Sequence, residues 1–162
     1  MTALWQRQTS TCVGSGVDGL SIVEPTMAGM ARYVIDAHTL IHLLTANVPV
    51  NPKHQLVAPS LIRSQALSLL LAAVRHDGLP EKVALQRHER LTGLKMRLLG
   101  DRASRRTAFK IAREQGWETT YEAEYLGVTR LQADAFVTID PEMAAKAEGV
   151  VPTARLDALT GK

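Results

Sequence analysis

Apolar positions along the chain fall into short blocks that alternate between two spacings. Tyr33, Val34 and Ile35 form a β-branched and aromatic run that stops at Asp36, and the segment from Thr39 to Leu44 begins a helix. Gln55 to Ala58 offers a short strand, while Pro59 reads as the opening of a helix from Ser60 to Arg75, ended by Gly78 and Pro80. The second half of that helix is apolar nearly all round, which predicts burial. A further helix is expected from Glu81 to Leu91 with Gly93 as its break, and Leu94 to Leu99 reads as strand. Asp101, after Gly100, is suited to cap a helix from Arg102 to Gln115 that Gly116 closes. Thr119 or Thr120 caps the next, from Tyr121 to Leu131. Ala135 to Ile139 is a second apolar strand ending in an acid, Asp140, and Pro141 starts a short helix to Ala147. Val150 and Val151 predict a last edge strand, limited by Pro152.

Strands alternating with helices imply a parallel sheet in a layered α/β fold. With 162 residues the chain fits one domain that buries roughly two-thirds of its unfolded surface. Residues 1–30 lack either period and read as an N-terminal tail, disordered or an artefact of start-site choice, since Met27 and Met30 stand just before the first strand. The domain is then 31–160. No internal repeat or low-complexity segment interrupts it.

Composition narrows the class of protein. Hydrophobic content of 46% with 22% charged residues is ordinary globular composition. Aromatics make up only 4%, which disfavours recognition of nucleic-acid bases on clustered aromatic platforms. A net charge of +3 is compatible with an acidic partner or a phosphate backbone. The single cysteine, Cys12, excludes an internal disulfide. The start of the chain has no apolar stretch of signal-peptide length, and Leu67 to Val74 is far shorter than the roughly 20 residues that span a bilayer. A cytoplasmic protein without a membrane anchor is expected.

In an open parallel sheet, ligands bind outside the carboxyl ends of the strands. Asp36 and Asp140 both occupy that place. Close carboxylates repel, and a bound divalent cation is the usual remedy. Gln65 interrupts the apolar stripe of its helix with an amide, either as a buried group bonded to backbone or as a neighbour of the acids. Glu122 matches the third position of a capping box led by Thr119, so capping competes with metal binding for it, while Glu124 is expected to be solvated. Arg102, Arg106, Lys110 and Arg113 share one helical face with Arg105 close by, as a solvated face, a phosphate track or a contact for an acidic partner. His38 and His42 stand one turn apart, yet no further ligand set completes a zinc site. His38, two residues past Asp36, is still placed to line the site.

Five segments in order carry a resemblance. Tyr33-Val-Ile-Asp36, Ala58-Pro-Ser-Leu-Ile-Arg-Ser-Gln65, Leu98-Leu-Gly-Asp-Arg102, Thr120-Tyr-Glu-Ala-Glu-Tyr125 and Phe136-Val-Thr-Ile-Asp140 resemble the PIN domains of VapC-like toxins from VapBC toxin-antitoxin pairs, especially actinobacterial forms. The resemblance spans residues 32–157 and implies a single PIN-like domain, with a central, mostly parallel sheet flanked by helices. By that resemblance the family's four acidic positions fall on Asp36, Gln65, Glu122 and Asp140, and its hydroxyl on Thr138. Gln65 and Glu122 depart from the usual Glu and Asp, and His38 from the usual Asn or Ser.

The resemblance implies a metal-dependent ribonuclease. Asp36, Glu122 and Asp140 would hold Mg²⁺ or Mn²⁺ with Gln65 as a neighbour, and hard cations with oxygen ligands do activate water. Three carboxylates rather than four imply one metal. Implied partners are an RNA substrate, met by Arg102, Arg105, Arg106, Lys110 and Arg113, a VapB-like antitoxin, and a second copy of the chain. The substitutions at Gln65 and Glu122 equally suit a weakened module that binds RNA or an antitoxin. A third reading, phosphoryl transfer from an aspartate as in haloacid-dehalogenase-like hydrolases, lacks its general-acid aspartate, because His38 stands there.

Overall fold

The computed structural model describes residues 29–160. The expected tail, apart from its last two residues, and Cys12 with it, lies outside the described residues. β1 (Arg32–Ile35), α1 (Ala37–Thr45), β2 (Gln55–Pro59), α2 (Ile62–His76), α3 (Glu81–Gly93) and β3 (Arg97–Leu99) form the first half. α4 (Arg102–Gln115), α5 (Tyr121–Gln132), β4 (Ala135–Val137), α6 (Pro141–Ala147), β5 (Thr153–Ala154) and a 3₁₀ turn (Leu156–Leu159) follow. The strands form one five-stranded sheet in the order β3-β2-β1-β4-β5. All its pairings are parallel, Val34 lying beside Val57 on one side and Phe136 on the other. The fold is therefore α/β with a parallel sheet flanked by helices, as the alternating pattern predicts.

Helices flank the sheet, so its inner strands read as unbroken apolar runs. Tyr33, Val34 and Ile35, then Leu56, Val57 and Ala58, then Ala135, Phe136 and Val137 are all buried. Burying a side chain such as Phe136 contributes roughly 1.5–3 kcal/mol. α5 lies across β1, β2 and β4, and α4 packs against α5. Gly127 sets their approach: a Cβ there would lie 3.0 Å from the Ser104 carbonyl oxygen and 3.1 Å from the Ala108 nitrogen. α1, α2 and α3 pack on one another as a second group.

Four local expectations are corrected. Pro59 ends β2 instead of opening a helix, and α2 starts at Ile62. The missing N–H costs little there, because the pairing with β1 extends only to Val57 while Ser60 N–H resumes the bond to the Leu99 carbonyl. α2 buries Ile62, Ala66 and Leu70 but leaves Leu67 and Leu71 exposed, because α1 and α3 cover only one side of it. Val150 and Val151 form a turn at the end of α6, both donating to the Ala147 carbonyl, and β5 begins only after Pro152. β4 ends at Val137, and Ile139 N–H turns away from the sheet to the Thr39 hydroxyl.

Candidate metal centre

The strand order fixes where a site can form. From β1 the chain moves outward through β2 to β3, returns across the sheet to β4 on the other side of β1, and ends at β5. Connections diverge between β1 and β4, and in such sheets ligands bind outside the carboxyl ends of the strands at that point. Asp36 follows β1 and Asp140 closes the turn after β4.

Both acids are also helix N-caps. Oδ1 of Asp36 accepts the Thr39 N–H at 2.8 Å, and Oδ1 of Asp140 accepts the Glu142 N–H at 3.0 Å. Each is thus held by the first turn of its helix. Asp36 is only 4% exposed. The Thr138 hydroxyl donates to its second oxygen and accepts the Asp140 N–H at 3.0 Å. His38, in the first turn of α1, brings Nδ1 to 3.4 Å from Oδ2 of Asp140. One donor atom each from Asp36, His38 and Asp140 lies within 4.8 Å of the other two. Two carboxylates and an imidazole fit a divalent cation, since each carboxylate oxygen keeps a lone pair beyond its hydrogen bond.

Glu122 does not join this group. Burial pushes its carboxyl up, but the Lys146 ammonium at 2.8 Å and the Thr119 hydroxyl at 3.1 Å outweigh that and hold it below the usual glutamate range. Lys146 also lies 5.5 Å from the centre of the Trp117 ring, so the ion pair is braced on its far side. The capping reading is met only in part, because Thr119 binds the Glu122 side chain and Thr120 makes no side-chain cap bond. Gln65 accepts from the buried Tyr125 hydroxyl. Burial raises that hydroxyl far above the ordinary tyrosine value, with the charges of Asp36 and Glu124 adding and the Ala37 N–H opposing. Tyr125 therefore holds Gln65 while its hydroxyl feels the charge of Asp36.

Other acids have other work. Asp101 caps α4 by accepting both the N–H and hydroxyl of Ser104, at 2.7 and 2.6 Å, and these bonds hold its carboxyl below the usual range. Glu124 is half-buried rather than solvated, and burial raises its carboxyl against the pull of Arg105. His42, one turn beyond His38, stays outside the group.

Tyr125, Lys146 and Thr39 were not legible as site residues. Tyr125 stands inside the quoted Thr120–Tyr125 segment, and its position one turn after Tyr121 in a helix following the capping threonines was the only signal available. Lys146 pairs with Glu122 across 24 residues, which no local pattern encodes.

Among solved structures similar to this chain is PAE2754 from Pyrobaculum aerophilum, with a TM-score of 0.58 and 23% identity over 81% of this chain and 95% of that one. Another is VapBC-1 from nontypeable Haemophilus influenzae, with a TM-score of 0.50 and 13% identity over 76% of this chain and 97% of that one. No protein-family model matches the sequence, and no curated protein matches it. The fold shared with these structures is a PIN-like α/β fold, a parallel five-stranded sheet flanked by helices. Among the described residues no helix is long and apolar enough to cross a membrane.

Proposed function

We propose that this chain is a metal-dependent endoribonuclease acting in the cytoplasm as the toxin of a toxin-antitoxin pair. The observation that carries the reading is the convergence of Asp36, His38 and Asp140 at the carboxyl ends of the neighbouring strands β1 and β4. A Mg²⁺ or Mn²⁺ ion held there would polarise a phosphoryl oxygen and acidify its bound water. Asp36 supplies the buried charge, and Thr138 keeps its carboxylate turned toward Asp140. His38 and Asp140 form the outer wall, open to a phosphodiester. Arg102, Arg105, Arg106, Lys110 and Arg113 on α4 offer cations to the RNA backbone. A VapB-like antitoxin is the partner, and its gene directly upstream is the cheapest supporting observation. A second copy joining through helices accounts for the exposed Leu67 and Leu71 of α2.

The test is cleavage of RNA in Mg²⁺ or Mn²⁺ by the wild type and by Asp36→Asn. Activity that depends on the metal and disappears in the variant supports the reading, and equal cleavage by both removes the site assignment.

A weakened module that binds RNA or an antitoxin is the second reading. It is favoured by the engagement of Glu122 with Lys146 and of Gln65 with Tyr125, which leaves two carboxylates at the centre. Metal binding without cleavage in the same assay would select it.

A further inference from the structure

We propose that Phe109 is a base-stacking platform for single-stranded RNA on the outer face of α4, resting on the reading of this chain as a protein that binds RNA. α4 turns Ser104, Ala108, Ile111 and Ala112 inward. On the opposite face, Arg102, Arg106, Phe109 and Arg113 recur at three and four residues, and they form an open surface patch with Arg105 and Lys110. Phe109 is 63% exposed in the middle of these cations. An aromatic ring on a helix face that meets no core is out of place in a merely solvated stripe.

Charge selects the occupant. Among the described residues no carboxylate lies within ion-pair distance of Arg102, Arg106 or Arg113, and Lys110 meets Glu114 only at 3.8 Å on the surface. A second copy docking on this face about a two-fold axis would bring two such cation stripes together, and that repulsion disfavours it. A polyanion is attracted instead. The ring then distinguishes single strands from duplexes, because a duplex keeps its base faces stacked internally while a single strand can lay one on an aromatic side chain. Scarce aromatics argue against a clustered platform but not against one exposed ring among arginines.

α4 begins near the metal centre's end of the sheet. α4 starts just after β3, at the same sheet edge as Asp36 and Asp140, and two strand spacings of about 4.8 Å separate β3 from β1. An added Cβ on Gly100 would meet the Ser60 hydroxyl at 2.9 Å and the Arg105 guanidinium at 3.8 Å, so Arg105 reaches back to that edge. Phe109 lies two turns, about 10 Å, along the helix from Arg102. Arg105 thus offers a cation between the start of α4 and Phe109.

The experiment uses the full chain in EDTA, so that binding is read without cleavage. Fluorescence anisotropy of labelled oligouridylate and of an RNA duplex is compared for wild type, Phe109→Ala, Phe109→Trp and Arg106→Glu. Expected is a loss of about tenfold in single-strand affinity for Phe109→Ala, recovery in Phe109→Trp, and no change on the duplex. Arg106→Glu should weaken both RNAs and lower the salt dependence. Unchanged single-strand binding by Phe109→Ala overturns the proposal, as does a wild type that binds labelled polyglutamate but not oligouridylate. The nuclease reading fails separately: Phe109-dependent binding with no metal-dependent cleavage keeps the platform and removes the nuclease, and the reverse pattern does the opposite.

Discussion

The Thr138 hydroxyl donates to Oδ2 of Asp36 and accepts the Asp140 N–H, so one side chain ties the ends of β1 and β4 to a common point. Thr138→Val keeps the shape and removes both bonds, leaving a buried carboxylate oxygen short of a donor. The expected cost is about 1–3 kcal/mol in urea unfolding, with weaker Mn²⁺ binding by calorimetry. Thr138→Ser should restore both. A valine variant as stable and as competent for metal as the wild type would show that the link does not organise the centre.

His38 should set the choice of metal. Mg²⁺ prefers an all-oxygen shell, whereas an imidazole is a better donor to the transition metals. The wild type is therefore expected to bind Mn²⁺ more tightly than Mg²⁺, and His38→Asn to narrow that preference by about tenfold, a loss of the size seen when even a ligand's supporting group is removed. Competition calorimetry, or the spin-resonance signal of free Mn²⁺, measures it. Equal losses for both ions would mean that His38 is not a ligand.

Tyr125 makes stability depend on alkaline pH. Its hydroxyl resists ionisation in the fold while the unfolded chain ionises near pH 10. The folded value is raised, so the contribution is complete below about pH 10 and is lost as pH rises beyond it. Tyr125→Phe should flatten that part of the stability profile. It should also cost about 1–2 kcal/mol at neutral pH, since the part-buried Gln65 carbonyl loses its donor. Denaturation midpoints from pH 8 to 11 decide it, and a variant profile parallel to the wild type would contradict the assignment.

Gln65→Glu should add a third carboxylate near the centre, since Gln65 bonds Tyr125 and the Tyr125 hydroxyl feels the charge of Asp36. Mn²⁺ affinity is expected to rise about tenfold while apo stability falls by about 1–3 kcal/mol, because like charges are then held close in a partly buried site. Titration calorimetry with a parallel melt reads both. An affinity that does not move would place Gln65 outside the reach of the metal.

Leu71 is 51% exposed and Leu67 44%, one turn apart on α2. If that face joins two copies, Leu71→Glu should yield monomers by light scattering with unfolding changed by no more than about 0.5 kcal/mol, as for an ordinary surface substitution. A wild type that is already monomeric ends the dimer reading.

Much of the fold was legible because its elements are local. The Asp101 cap and the left-handed Gly116 closure of α4 follow from residues within one turn, and Ala135 to Val137 is apolar because both sheet faces are covered. Pro59 misled because a proline opens helices and ends strands alike, and only the pairing of β2 with β1 and β3 distinguishes the two. Leu67 and Leu71 misled because apolar character does not say whether a neighbour exists to cover it.

The site divides in the same way. By itself the sequence determined that two apolar strands end in acids, Asp36 and Asp140, with Thr138 two residues before the second and a cationic face on α4. Strand order is a long-range property, and only the return of β4 to the side of β1 brought those acids together. The same return turned His38 toward them, while Lys146 of α6 reached Glu122 of α5 and Tyr125 of α5 reached Gln65 of α2. Sequence spacing gives the direction of a side chain within its own helix; which charge it meets depends on the element packed opposite, and that was decided by the tertiary structure alone.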